Sequence, residues 1–400
     1  MSAQLEKEAA AMAGFVHGFR RQMFHSVPPI PAEVDLKGKT ALVTGSNIGL
    51  GLECARHFLS LQPALLIMAV RSLSKGEAAA KGLRAEFPDA RIEVWELDIT
   101  SFRSVRAFVE RCARDIPQDQ SGNRRLHAAV LNAGLGAFEF ARVGEGRGRE
   151  TMLQVNYLAT ALLAILLLPI MKPSPSPSAK SKSASEPGRL TLVGSDSALT
   201  ATLTDPGKDV GILDYLDRDR PEGARFDGFA QYGDSKLLLT MFVAKLAAEF
   251  VSADDVIVNV TNPGPTWGTE IISKNGPLAA RLFTGVLFSV LGRSPRGCSK
   301  DLRALKSDTG EGEPWFLYGV AYQSVSHCLS PPATYPVSPP PLSYNSHLSC
   351  TDVSPPMHSW PPIMYTEEGR RLGDRLWGET MAELSSAKVE ETLQEMKRIP

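Results

Sequence analysis

Thr40-Ala-Leu-Val-Thr44-Gly45-Ser46-Asn47-Ile48-Gly49-Leu50-Gly51 decides the fold of this chain. Five apolar or β-branched residues predict a strand, and the pattern from Gly49 to Leu59 predicts a helix directly after it. The turn between them reads G-x-x-x-G-x-G, longer than the G-x-G-x-x-G dinucleotide turn. Glycines there permit positive φ and close backbone approach, and a helix N-terminus attracts a pyrophosphate. Gly45, Gly49 and Gly51, with Asn47 in the same turn, are therefore candidate cofactor residues.

Outward from this turn the pattern repeats. Leu65–Val70, 92–97, Ala128–Leu131, 189–193 and 256–260 read as strands, with amphipathic stretches such as 77–87 and 101–114 between them. The alternation predicts an α/β fold, a doubly wound parallel sheet (Rossmann-like) in a single domain. The organisation expected is an N-terminal helical extension at 1–36, the main domain at 37–323 with a polar loop at 173–187, a Pro/Ser-rich insert at 324–362, and a helical segment at 363–400. The insert reads as a disordered stretch, a partner-binding loop or translated non-coding sequence.

Composition excludes several classes. The formal net charge of -1 offers no footprint for nucleic acid. The five cysteines include no Cys-x-x-Cys pair, which favours a reducing compartment over a disulfide framework. Glu6, Lys7 and Glu8 stand where a secretory leader needs an apolar core, so a cytoplasmic location is expected. The run 157–171 is too short for a bilayer, which takes about 20 residues, and Pro169 interrupts it; a buried helix is expected. His327, Cys328, His347 and Cys350 match no zinc spacing, so no metal is expected.

The second predicted strand ends Ala69-Val70-Arg71. An acid there would hold the ribose 2′-hydroxyl of NAD; Arg71 instead accommodates a 2′-phosphate, so NADP is the expected cofactor, with an ordinary surface arginine the alternative. Asp98, closing the third strand, either accepts from the adenine amino group or caps the next helix. Asn132, in Leu131-Asn132-Ala133-Gly134, closes the fourth, where small residues would let the sheet edge approach a cofactor ribose.

The chemistry sits at Tyr232-Gly-Asp-Ser-Lys236, at the start of a long apolar helix. Residues i and i+4 share a face, which puts the phenol beside the ammonium. A nearby cation lowers a phenol's pKa and suits it to acid/base work. Ser195 after the fifth strand is placed to orient a substrate oxygen, with Ser197 the competing assignment. Asn156 has either a polar task in its helix or a satisfied, buried role.

TGSNIGLG, LDI with Asp98, LNAG, QVNY with Asn156, VGSDS, YGDSK and Asn262-Pro263-Gly264 occur in one order over about 38–264. In this the chain resembles the short-chain dehydrogenases/reductases of non-extended length. GLECARHFLSLQP, AVRSLSKGEAAAKGL and TEEGRRLGDRLW are similar to the retinol-dehydrogenase-like branch and to fungal members associated with secondary metabolism. The resemblance implies a catalytic tetrad of Asn156, Ser195, Tyr232 and Lys236, with Tyr232 as acid/base. Ser195 would steady the carbonyl, Lys236 would bind the nicotinamide ribose, and Asn156 would hold a relay water. The resemblance also puts Ile48 over the cofactor as the family's glycine-turn residue; the family's threonine position is Gly268 here, with Thr266, the candidate cofactor contact, and Thr269 close by. It implies a small lipophilic carbonyl or alcohol substrate, and is compatible with a homodimer paired through the helices after the fourth and fifth strands. The segment 277–292 is apolar and reads as a wall of the substrate pocket, as plain core or as a dimer face. A cofactor-binding scaffold or inactive homologue is the alternative function. Epimerases and dehydratases of the extended type favour another glycine spacing.

Overall fold

The computed structural model describes residues 36–263, apart from breaks at 119–121, 123, 145–147, 174–185, 202 and 219–225, together with residues 361–397. Thr266, the segment 277–292, most of the 173–187 loop, most of the 324–362 insert and residues 1–35 lie outside them.

Strand β1 (Thr40–Thr44) feeds helix α1 (Gly49–Ser60). There follow β2 (Leu65–Val70), α2 (Leu73–Glu86), β3 (Ile92–Glu96), α3 (Phe102–Asp115) and β4 (Ala128–Leu131). A small hairpin of β5 (Arg142–Val143) and β6 (Arg149–Glu150) precedes a π-turn at Leu153–Leu158 and helix α4 (Ala159–Met171). Next come β7 (Gly188–Val193), a 3-10 turn at Asp196–Thr200, the short α5 (Ile212–Asp217), the long α6 (Gly228–Glu249) and β8 (Val256–Thr261). The C-terminal helices are α7 (Glu367–Glu383) and α8 (Val389–Lys397).

The main sheet is parallel, in the order β3-β2-β1-β4-β7-β8. Every residue of β1, β2, β4 and β7 is buried, as a parallel sheet covered on both faces requires. Side chains alternate between the faces: Ala41 and Val43 pack with Cys54 and Phe58 of α1, whereas Leu42 joins the core built with α3, α4 and α6. Strand order reverses between β1 and β4, and a ligand crevice opens at such a switch point, beyond the strands' C-terminal ends.

The apolar stretch Leu153–Met171 is long and apolar enough to cross a membrane, yet most of it is buried in this core, as expected of a core helix. The C-terminal helices belong to the same core: Leu372, Leu376, Leu384, Val389 and Leu393 pack in it. The Trp377 ring stacks on Phe250 at 4.4 Å and Phe242 at 5.6 Å, and Tyr157 Oη lies 2.6 Å from Thr380 Oγ1. Helices α7 and α8 thus lie over α6 and α4. The helical segment expected at 363–400 consists of two helices. It is broken at Ser385–Ala387, where Lys388 takes φ +56°, and the bend lets both Leu384 and Val389 reach the core.

Candidate active site

A cleft of about 310 Å³ opens at the switch point, walled by Gly45, Asn47, Ile48, Gly49, Arg71, Asp98, Asn132, Tyr232 and Lys236 among others. It gathers most of the candidate residues read from the sequence. Gly51, Asn156 and Ser195 are not in its wall. A Cβ on Gly51 would stand 2.3 Å from the Gly45 carbonyl oxygen and 2.6 Å from Asn132 Nδ2, so this glycine is required by the packing of α1 on the turn. Gly45 has φ +64° and Gly49 φ +55°, the left-handed region in which L side chains are strained.

Asn132 staples that turn. Its Nδ2 donates to the carbonyls of Thr44 (3.1 Å) and Gly45 (3.3 Å), while Ala133 N donates to Thr44 Oγ1 (3.0 Å). Its amide is therefore engaged with protein, and its side chain contributes to the site by holding the turn's shape. Ile48, extended and 43% exposed, precedes α1 without giving a side-chain cap, and no acid stands in the first turn. The orphan N–H groups at this helix start suit a pyrophosphate.

At the end of β2, exposed Arg71 lies beside Ser72, and Lys75 of α2 lines the same wall. Lys75 was missed in the sequence, although its place four residues after Arg71 on the first turn of a helix was a readable signal. Asp98 does not cap α3. Its Oδ1 accepts from Thr100 N (3.0 Å) and Thr100 Oγ1 (2.8 Å), and the cap is Ser101, which accepts from Ser104 N. The two-residue spacing to Thr100 closes a tight local turn and leaves Asp98 on the cleft wall.

Asp227 caps α6 by accepting from Phe229 N and Ala230 N, which places Tyr232 at the start of the second turn and Lys236 one turn on. Lys236 Nζ lies 5.8 Å from the Tyr232 ring centroid and donates to the Val193 carbonyl at 2.9 Å. Burial lowers the Lys236 pKa to about 8. Burial pushes the Tyr232 phenol above its ordinary value, and the Ser195 hydrogen bond opposes that rise. The sequence reading expected a phenol lowered by Lys236. In this structure burial sets the direction of the shift, and the Lys236 hydrogen bond goes to Val193. Ser195 contacts the phenol, while Ser197 supports Ser195: Ser195 Oγ accepts from Ser197 N (3.2 Å) and donates to Ser197 Oγ (3.1 Å).

Asn156 sits in the π-turn, an irregularity frequent at functional sites, and is 1% exposed. Its Oδ1 accepts from Leu135 N (2.9 Å), and its Nδ2 donates to Leu135 O (2.8 Å) and Ser235 Oγ (3.1 Å). Asn156 thus locks the loop after β4 to α6. A Cβ on Gly134 would stand 3.2 Å from Asn156 Oδ1 and 3.4 Å from Lys236 Nζ, so only glycine leaves that corner open. The left-handed glycine turn, an uncapped helix start and a buried ammonium bonded to a neutral carbonyl fit a dinucleotide laid from α1 to Tyr232. Among the described residues no cluster of His, Cys, Asp and Glu could hold a metal ion.

The profile of a family described as short chain dehydrogenase matches residues 39–198. A short chain dehydrogenase of Penicillium oxalicum, opdN, is 44% identical over 298 residues, 74% of this chain and 90% of that protein. A short chain dehydrogenase of Hypocrea virens, virL, is 36% identical over 398 residues and the whole of both chains. Among solved structures, the Pseudomonas aeruginosa RhlG/NADP active-site complex aligns at TM-score 0.47 and 20% identity, over 76% of this chain and 94% of that one.

Proposed function

This chain belongs to the short-chain dehydrogenase/reductase family of oxidoreductases acting on alcohol and carbonyl groups, and from that premise we propose that it is an NADPH-dependent carbonyl reductase for a small lipophilic substrate. The observation that carries the reading is the Tyr232–Lys236 pair on the wall of the glycine-turn cleft, with Ser195 hydrogen-bonded to the phenol. The dihydronicotinamide, when bound, supplies the hydride. Tyr232 delivers the proton to the carbonyl oxygen as negative charge grows there. A phenol raised by burial is protonated at neutral pH and therefore stands ready as the acid. Ser195 steadies the same oxygen and keeps the phenol oriented. Lys236 holds a positive charge close to the phenol and stabilises the phenolate left behind. Asn156 fixes the geometry by tying Leu135 and Ser235 together.

Preference for NADPH rests on the cations Arg71 and Lys75 at the end of β2, with no acid among residues 69–72. A place in secondary metabolism and a cytoplasmic location are part of the proposal. The first is supported by the resemblance to fungal members, the second by cysteine usage, Cys54 and Cys112 being buried and outside any disulfide among the described residues. Calorimetric titration with NADPH and separately NADH, followed by a panel of aromatic and aliphatic carbonyls, tests the whole reading. Tight NADPH binding with NADPH oxidation on at least one carbonyl is expected. Binding without turnover of any of them would favour a scaffold and overturn the proposal.

A further inference from the structure

Glu150 ends the β5–β6 hairpin with 0% exposure, yet its carboxylate is far from idle. Oε1 accepts from Met152 N at 3.0 Å, and Oε2 accepts from Leu153 N at 3.0 Å and from Gln231 Nε2 at 2.9 Å. Leu153 is the first residue of the π-turn that carries Asn156, and Gln231 immediately precedes Tyr232. One carboxylate therefore joins the two elements that carry the reacting and orienting side chains. Gln231 is itself buried; its Nε2 also donates to Leu216 O (3.2 Å), and its Oε1 has no partner.

An isolated buried carboxylate is costly and persists where several donors converge on it. Burial raises the Glu150 pKa, with neighbouring Asp217 adding to that rise, while the Met152, Leu153 and Gln231 donors oppose it. The Glu150 N–H is held by Asp217 Oδ1 at 2.6 Å, and Asp217 by Arg142 at 2.6 Å, so the carboxylate sits in a braced frame. With no exposed surface, water has no access to replace any of these bonds.

We propose that Glu150 is a positioning residue, acting through Gln231 and the π-turn to set the separation of Asn156 from the Tyr232–Lys236 pair. It stands outside the cleft wall and touches neither reactant. The inference rests on the reading of Tyr232 as the proton donor, because it assigns Glu150 to the spacing of that group.

Q231M tests it, since this change keeps the side chain's length and the Glu150 bonds to Met152 and Leu153 while removing the link to α6. Hydrogen–deuterium exchange of the full chain is measured on peptides covering 152–158 and 228–236. Both are expected to gain exchange together, by about fivefold. In parallel, kcat for NADPH oxidation with 4-nitrobenzaldehyde is expected to fall about tenfold while the Kd for NADPH stays unchanged, as loss of orientation alone would produce. E150Q sets an amide against three N–H donors and should do both more strongly. Unchanged exchange over 152–158 in Q231M, or an unchanged kcat in an active enzyme, would overturn the proposal. If the wild type binds NADPH but reduces no carbonyl, the functional reading fails instead, and the exchange data still decide whether the two elements are coupled.

Discussion

Replacing Lys236 by methionine removes a buried ammonium and keeps most of its stem. Burial takes that group from an ordinary pKa of 10.5 to about 8. The charged form is therefore disfavoured in the folded protein by roughly 3 kcal/mol, at 1.36 kcal/mol per pKa unit. Against this, the variant leaves the Val193 carbonyl without its 2.9 Å donor. An unsatisfied buried acceptor costs about 1–3 kcal/mol. K236M should then be about 1 kcal/mol more stable than the wild type near pH 7, and should lose turnover. The pH dependence carries the sharper test. Because the folded pKa lies below the unfolded one, the unfolded state binds more protons between pH 8 and 10.5, and wild-type stability gains from this group as pH rises through that window. Below about 8 the penalty is felt in full, and above 10.5 it is gone. Urea titrations of cofactor-free protein across that range should show the K236M advantage shrinking and then reversing. Parallel curves for the two proteins would refute the claim that Lys236 is held charged at a desolvation cost.

G51A forces a Cβ to 2.3 Å from the Gly45 carbonyl oxygen; it should cost about 2–3 kcal/mol in melting experiments and abolish NADPH binding by calorimetry. R71A should weaken NADPH by roughly 10-fold or more and leave NADH unchanged, since only the former carries the phosphate that the guanidinium would bind. W377A removes a ring stacked on both Phe242 and Phe250, and should lower stability by about 3 kcal/mol in denaturant titrations.

The six strands of the sheet were readable because buried parallel strands are short, continuous apolar runs, and their ends were placed to within a residue. The site's outline was readable for a related reason: the glycine turn and the i, i+4 pair of Tyr232 and Lys236 are local patterns. What escaped depends on partners distant in sequence. Asn132 reaches the Thr44 carbonyl across 88 residues, and Gln231 reaches Glu150 across 81, so no window of sequence displays either contact. The hairpin of β5 and β6 has two residues per strand, too few for any period to emerge. The direction of the Tyr232 shift escaped because burial is a tertiary quantity, whereas the spacing to Lys236 records only proximity. The packing of α7 and α8 into the main core was hidden by the 97 residues that separate Pro263 from Pro361.

The central claim is that Tyr232 gives the proton while the cleft alone holds the cofactor. Y232F deletes only the phenolic oxygen and keeps the ring. NADPH binding to this variant by calorimetry, beside steady-state NADPH oxidation with a carbonyl that the wild type reduces, tests the claim most directly. The account predicts unchanged NADPH affinity with a rate lower by about 100-fold or more, the usual scale of a general acid's contribution. A near-normal rate in Y232F would contradict it.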